Sequence, residues 1–497
     1  MLGAPTAEWI AGDRQVRVAS RWWSGSMAAV GVLAAVSAGV FWLVHSAIID
    51  DSYITLSYAR NVALHGHWGL IPQRTSNTAT SPLNVLLLAG FTVVLRHPVW
   101  ALAAVFVAAN VVLGLTLRAT ARALGLREWG VWAAWLVVLG NPLLLSAVGL
   151  EVTLTAAVLG ALLAAAVLRR PWLFGLCAGL AVLTRIDLAV IVLVVFAAAA
   201  GLWRGWWKVL LGGVAVALPW FAFSWRVLGS AVPDTLVIKT QQKAWGSYQF
   251  GNGPLLYLRS YPAATVLAFL PALLGVLALV VVVATRARRR LVLPAALGAA
   301  GVVHYLAYTA LGVPPYHWYY APSLVCLSVF LALAVSAAHP ATLALVAVPI
   351  VGQVAFDAHH GLPWRQAAIT TNWATPAQYA TLGSQLAALT GGRPVHAGGE
   401  IGAIAYFCDC AVVDGFSDRA ELLPIIDNVI DKASPAARAL LELNYRFLDR
   451  ATPPLDTPFT LTHTQNPAPG DPAWPASSSW HGPGAPVDGY YTLTHTR

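Results

Sequence analysis

Long apolar runs dominate the chain from residue 27 to residue 356. They fall at about 27–49, 99–117, 129–147, 152–168, 172–184, 188–203, 209–225, 263–285, 291–311, 322–338 and 341–356. None shows the period-2 alternation of a half-buried strand, and several reach the roughly 20 residues an α-helix needs to cross a bilayer. Short basic turns lie between them: Arg118/Arg122/Arg127, Arg169-Arg170, Arg204/Lys208 and Arg286/Arg288-Arg289-Arg290. Arg14, Arg17 and Arg21 precede the first run. Lysine and arginine are retained on the cytoplasmic side, so these turns and the N-terminus are expected inside. The first run lacks a small-residue cleavage site and is long for a signal-peptide core, which predicts a retained helix. A spanning segment at 82–96 would push the next Arg cluster outside, and that stretch is short. It reads instead as an interfacial or re-entrant helix within one outer loop, 50–98. The pattern predicts eleven spans, N-terminus inside and C-terminus outside. The runs at 172–184 and 188–203 are short. Their hairpin carries Arg185 and Asp187, which must face a wet cavity rather than lipid.

After residue 356 the pattern changes. Residues 357–497 hold 13 of the 21 acidic side chains and many turn residues. Val395 to Ala397 and Ala411 to Val413 read as short strands. Residues 419–431 and 435–449 read as helices, the second amphipathic through Ala436, Leu440, Leu441, Tyr445 and Leu448. The stretch 465–487 is rich in Pro, Gly and Ser and reads as an irregular loop. The expected organisation is a membrane domain over 1–356 and a soluble α/β domain over 357–497 on the outer face. No internal repeat is evident.

Composition agrees with the pattern. Hydrophobic residues make up 58% and charged residues 10%, which places the chain among multi-span proteins of the plasma membrane. The net charge of +9 reflects the Arg-rich turns and does not point to nucleic acid. Cys177 and Cys326 lie in apolar segments and read as packing residues. A bridge across one residue between Cys408 and Cys410 is strained, and no zinc spacing surrounds them. Neither is given a role.

The acidic census bears on function. Only eight Asp or Glu precede residue 357. Glu8, Asp13 and Glu128 fall on the inner side. Asp50, Asp51, Glu151, Asp187 and Asp234 all fall at outer membrane boundaries, where carboxylates are costly and mark candidate sites. Singly, each can be a structural ion pair, such as Asp187 with Arg185; together they suggest one outward-facing cavity. A carboxylate there can act as general base toward a hydroxyl or hold a divalent cation such as Mg2+, Mn2+ or Ca2+. Arg60, Arg74, Arg185, Lys239, Lys243 and His317 are the outer cationic or hydrogen-bonding groups. The run Pro314-Pro315-Tyr316-His317-Trp318-Tyr319-Tyr320-Ala321-Pro322 fits an interfacial aromatic belt and equally a surface for sugar rings. Such groups suit glycosyl transfer from a lipid phosphate sugar.

Asp50-Asp51-Ser-Tyr-Ile-Thr55, Tyr58-Ala-Arg60-Asn61 with Gly66, and Thr80-Ser81-Pro82-Leu83 resemble the first outer loop of GT-C membrane glycosyltransferases. Gly149-Leu-Glu151 with Thr153-Leu154, Leu183-Thr-Arg185-Ile-Asp187, Pro233-Asp-Thr235 with Lys239, and Tyr319-Tyr-Ala-Pro322 continue the series. Gly399-Glu400-Ile-Gly402-Ala, Ala405-Tyr406-Phe407 and Val413-Asp414 complete it. Within that superfamily the chain is most similar to actinobacterial terminal β-(1→2) arabinofuranosyltransferases, which use decaprenyl-phosphate arabinose. The resemblance implies a helical polytopic GT-C fold, a polyprenyl-phosphate sugar donor and a cell-envelope glycan acceptor. It makes Asp50 the catalytic carboxylate, with Asp51 supporting it or binding metal. Arg60, Arg185, Lys239 and His317 become phosphate contacts. Glu151 and Asp187 would orient bases or sugar hydroxyls, with Asp234, Tyr319 and Tyr320 beside them, and Glu400 would line an acceptor groove. A sister enzyme using polyprenyl-phosphate mannose or another hexose, and a transporter of lipid-linked sugars, are the alternatives.

Overall fold

A computed structural model describes residues 27–496 apart from 243, 286–288, 485 and 487. Glu8, Asp13, Arg14, Arg17, Arg21, Lys243, Arg286 and Arg288 therefore lie outside the described residues. The eleven apolar runs are mostly helical, although the first leaves the helix after Val44 and the run at 188–203 is broken at Ala199. Seven helices are long and apolar enough to cross a membrane: Met27–Val44, Pro98–Leu124, Trp206–Val227, Pro262–Ala284, Val292–Ala310, His317–Ala337 and Pro340–His360. Trp129–Leu139, Val152–Val167, Pro171–Thr184 and Leu188–Ala198 are shorter apolar helices. The run 129–147 breaks where Asn141 caps a second short helix, Pro142–Ser146, accepting from the Leu143 and Leu144 amides at 3.0 and 3.3 Å. The last long helix carries past residue 356 to His360. His317–Ala337 is the hub, almost wholly buried among 292–310, 262–284 and 129–139. Pro82–Leu95 spans 14 residues, about 21 Å at 1.5 Å per residue, less than the roughly 30 Å hydrocarbon core. It packs between Asp50–His65 and Pro98–Leu124, a placement suited to an interfacial helix.

The C-terminal domain is a mixed five-stranded sheet with helices against it. β1 (Val395–Ala397), β2 (Val412–Val413), β3 (Phe459–Thr464), β4 (Ala473–Ala476) and β5 (Gly489–His495) run in the order β2-β1-β3-β5-β4. β1 pairs parallel with β2 and β3, and β5 pairs antiparallel with β3 and β4. The expected strands near 395 and 411 are present, as are helices over Leu423–Lys432 and Pro435–Asn444. The stretch 465–487 is not irregular throughout, because β4 lies inside it. Pro475 is tolerated there because β4 is an edge strand. Cys408 and Cys410 form a disulfide. Asp409 between them adopts a left-handed conformation with φ 52°, which turns the chain enough to bring the two sulfurs together.

The two domains are fastened through the helix Asp50–His65. Tyr53 packs on Tyr406 and Phe407 with ring centroids 4.9 and 5.1 Å away. The short helix Gly402–Cys408 comes so close that a Cβ on Gly402 would overlap the Asp50 carbonyl oxygen. Only glycine permits that approach. Thr78 donates to the Phe416 carbonyl at 2.8 Å, and Asp234 pairs with Arg419 at 2.7 Å.

Candidate active site

Asp50 and Asp51 open the helix 50–65 at the seam between the domains. The Asp50 carboxylate caps the neighbouring helix 402–408 across that seam. Its Oδ1 accepts from the Ala403 amide at 2.6 Å, and its Oδ2 from Gly402 and Ile401 at 3.1 and 3.3 Å. Its own amide donates to Asn372 Oδ1 at 3.2 Å, and Asn372 Nδ2 donates to Glu400 Oε1 at 3.1 Å. Asp51, one residue on, is held by none of those amides. It looks into a cavity of about 270 Å³ that Asp50, Glu400, Lys239, Tyr316, Trp373 and Trp480 help to line. Glu400 is buried there, and its Oε2 has no hydrogen-bond partner.

Lys239 is the cation of this cavity. Its Nζ lies 3.7 Å from the Tyr316 ring centroid and 5.7 Å from that of Phe416, a cation–π clamp. Tyr316 is in turn fixed by Trp245, 4.7 Å away edge-on, and donates to Gln242 Oε1 at 2.8 Å. Burial lowers the Lys239 pKa to about 8, with the Asp51 charge opposing. Burial, reinforced by the Asp51 charge, pushes the Asp50 carboxyl up to about 7 against the pull of the three amides. Burial also raises Asp51, which Lys239 draws back down, and lifts Glu400 well above the usual carboxylate range, with Asp50 adding to the effect. A carboxylate titrating near neutrality, a nearby ammonium and indole walls can bind an anion and take a proton from a hydroxyl.

The remaining expected residues lie elsewhere. Arg185 is buried in a closed cluster. Its Nε donates to Asp187 at 3.0 Å, Nη1 to Glu151 at 2.7 Å and Nη2 to the Tyr308 hydroxyl at 2.9 Å. The guanidinium lies 5.0 Å from the Tyr319 ring centroid, and Asp187 also meets His304 Nε2 at 2.8 Å. Asp234 is buried against Arg419 and Ser230. Arg60 pairs with Asp409 at 3.0 Å and donates to the Tyr406 carbonyl, at the opposite end of the helix that Asp50 caps. His317 is fully buried between Tyr257 and Trp318. Tyr320 stacks on Phe250 and donates to its carbonyl at 2.7 Å. The five acids expected at the outer boundaries thus reach three separate places rather than one cavity, because Arg185, Arg419 and the amides of 401–403 each capture their own partners.

Sequence reasoning missed Trp245, Trp373, Trp480 and Phe416 as cavity residues, and Asn372 as the side chain that links Asp50 to Glu400. The available signal was the isolated tryptophans in polar, Pro- and Gly-rich connections, where a large ring needs a site to cover. Among the described residues, no three His, Cys, Asp or Glu side chains come together to hold a metal ion. A cation on Asp50 would compete with the three amides that its oxygens already accept from.

No protein-family model and no curated protein matches the chain. Solved structures do share its fold. ArnT from Cupriavidus metallidurans in the apo state aligns with a TM-score of 0.59 at 14% identity, over 96% of this chain and 98% of that one. The same protein bound to undecaprenyl phosphate aligns with a TM-score of 0.50 at 17% identity, over 88% and 86%. The architecture is therefore the fold of these ArnT structures, a helical membrane-protein fold with a small C-terminal sheet domain; the apolar runs led us to expect the helical membrane part.

Proposed function

We propose that this chain is a membrane glycosyltransferase. It moves a sugar from a polyprenyl-phosphate donor to a cell-envelope glycan at the outer face of the plasma membrane. The observation that carries this reading is the cavity in which the amide-held Asp50, the open Asp51 and Lys239 meet a wall of indoles. The ArnT structure with undecaprenyl phosphate supports a lipid phosphate as carrier. D-Arabinofuranose as the sugar rests on the sequence resemblance around Asp50-Asp51 and Glu400.

In the proposed reaction an acceptor hydroxyl oxygen attacks the anomeric carbon. The bond from that carbon to the phosphate oxygen breaks, and its electron pair leaves with the polyprenyl phosphate. The hydroxyl proton passes to Asp50. Three amide donors fix the carboxylate orientation, so little reorganisation accompanies proton transfer. Lys239 holds the phosphate and balances the charge it gains, and Asp51 keeps the lysine protonated. Tryptophan faces pack against sugar rings. A second assignment exchanges the carboxylates, with Asp50 as anchor and Asp51 as base. The amide engagement of Asp50 and the openness of Asp51 favour it.

The test is incubation of the purified protein with radiolabelled polyprenyl-phosphate sugars and cell-wall oligosaccharides. Arabinose transfer to an oligosaccharide is expected. Hexose transfer would keep the enzyme class and replace the sugar. Vectorial movement of the intact lipid without transfer would make the chain a transporter and end the proposal. A chelator arm reads cation dependence directly.

A further inference from the structure

The helix Pro435–Asn444 contributes no buried residue although it is amphipathic. Its sequence stripe divides in the structure. Leu441, Tyr445 and Leu448 turn toward the domain core, whereas Leu440 and Leu443 are 69% and 51% exposed. Ala436, Leu440 and Leu443 recur at helical spacing along that exposed face, and Phe447 lies just beyond it. An apolar face of this kind on a wholly soluble domain has no folding role.

The face is anchored beside a surface that meets lipid. Trp206–Val227 is long and apolar enough to span a membrane, and little of it is covered by the rest of the chain. At its C-terminal end Trp225 Nε1 donates to the Leu443 carbonyl at 2.7 Å, and the Trp225 ring meets Phe447 edge-on at 4.9 Å. Val232 donates to Asn444 Oδ1 at 3.0 Å. Between the two segments lies an open apolar trough of about 420 Å³ lined by Trp225, Leu236, Val237, Leu440 and Leu441. Leu211 and Leu218 of the long helix are exposed and share one helical face with Trp225, which lines the trough.

Charge completes the surface. Arg226 lies over the Phe447 ring at 4.7 Å and Arg446 at 6.0 Å. Among the described residues neither meets an acidic partner. Their neighbours do: Arg438 pairs with Asp431 and Glu442, and Arg450 with Asp427. Two uncompensated arginines at the end of a bilayer-length apolar helix lie where lipid phosphates lie.

We propose that residues 435–447 form a second membrane contact, in which the C-terminal domain lies on an anionic phospholipid surface. Leu440 and Leu443 enter the acyl boundary, lipid chains fill the trough, and Arg226 and Arg446 meet lipid phosphates. Interfacial helices of this composition bind in the membrane plane. The contact would hold the domain at a fixed height over the cavity. It rests on the chain spanning a bilayer and not on the transferase reading.

The test uses the full chain in nanodiscs, with a fluorophore on Leu443→Cys and, separately, on Glu442→Cys on the charged face. Cys177 and Cys326 are buried and the other two cysteines are bonded to each other. Phospholipid spin-labelled near the top of the acyl chain should quench the label at 443 several-fold more than the label at 442. Leu440→Cys provides a second position should the first variant fold poorly. Quenching at 443 should rise with the phosphatidylglycerol fraction, and Arg226→Gln with Arg446→Gln should flatten that rise. Water-soluble iodide reaching 443 while spin-labelled lipid does not would overturn the proposal. Shielding of 443 from both quenchers would also overturn it, since a protein partner or second copy would then cover the face. Indifference of the native chain to phosphatidylglycerol would remove the phosphate contact.

Discussion

The cavity of Asp50, Asp51, Glu400 and Lys239 and the cluster of Glu151, Arg185, Asp187 and His304 use the same residue types. They lie one aromatic layer apart: Arg185 rests on Tyr319, Tyr319 sits 5.5 Å from Tyr316, and Tyr316 carries Lys239. Yet they are organised oppositely. Every nitrogen of Arg185 donates to a carboxylate or a hydroxyl, so its charge is already matched within the protein. Around Lys239 the acids outnumber the cation, one Glu400 oxygen has no partner, and the group opens on a cavity. Buried charge alone therefore does not mark a site. Unbalanced charge beside open volume does, because there a ligand can supply what the protein leaves incomplete.

The largest effect should come from Asp50. Asp50→Asn keeps the size but cannot take a proton, and loss of a general base lowers turnover by about two to four orders of magnitude. The amide also sets an N–H group against the amides of 401–403, so docking of helix 402–408 should weaken by about 1–3 kcal/mol. Hydrogen exchange at 401–408 measures the second effect separately from turnover. Loss of docking with turnover retained would show that Asp50 is an anchor and shift the base to Asp51. Asp51→Asn, which touches none of those amides, should leave exchange unchanged.

The closed cluster should behave the other way. Arg185→Met strands Glu151 and Asp187 in a buried site, and breaking such a pair costs about 3–5 kcal/mol. Donor KM should be nearly unchanged in whatever fraction folds. A double-mutant cycle with Asp187→Asn should return a large coupling in thermal stability. A raised donor KM with intact stability would erase the distinction between the two clusters.

Lys239→Met should raise donor KM about tenfold to a hundredfold, the scale of a charge-assisted hydrogen bond, with acceptor KM little moved. Its charge also sets a pH window. The base must be deprotonated, which favours pH above about 7. The ammonium must be protonated, which favours pH below about 8. A narrow bell in kcat/KM is expected, its two limbs belonging to the coupled pair. Methionine at 239 should remove the alkaline limb and leave the acid one, whereas a profile unchanged by Lys239→Met would place the phosphate on another group.

Much of this was legible in the chain. Long apolar runs without period-2 alternation announce helices, since a helix satisfies its own backbone polar groups in lipid and barrel strands would alternate. The Asp50-Asp51 pair and Lys239 could be chosen from their rarity at membrane boundaries. What sequence does not carry is partner choice. Asp234 and Arg419 are 185 positions apart, and nothing in either neighbourhood announces the pairing. The sheet was only partly read: β1 and β2 were expected, whereas β3 and β5 were not, although Phe-Thr-Leu-Thr-His-Thr from 459 and Tyr-Tyr-Thr-Leu-Thr-His from 490 have strand alternation, and the Pro, Gly and Ser between them masked β4 and Trp480. The disulfide depended on the local turn at Asp409, a backbone property that spacing does not encode.

The smallest effect separates Arg60 from the cavity. From one face of Asp50–His65, Asp50 meets the N-terminal amides of helix 402–408 and Arg60 meets its C-terminal end at the Tyr406 carbonyl and Asp409. Each charge complements the helix dipole where it sits. Asp409 is 66% exposed, so water screens the ion pair, and such pairs contribute about 1 kcal/mol or less. Arg60→Gln can still donate to the carbonyl and loses mainly the charge and the stacking on Tyr406. Its melting temperature should fall slightly, amide exchange at 406–409 should quicken, and both donor and acceptor KM should stay at native values. High salt should reproduce part of the exchange effect in the native chain. A donor KM raised as far as in Lys239→Met would mean that Arg60 leaves Asp409 to reach the phosphate during turnover. The cavity would then extend along the whole exposed length of helix 402–408 rather than ending at its Asp50 cap.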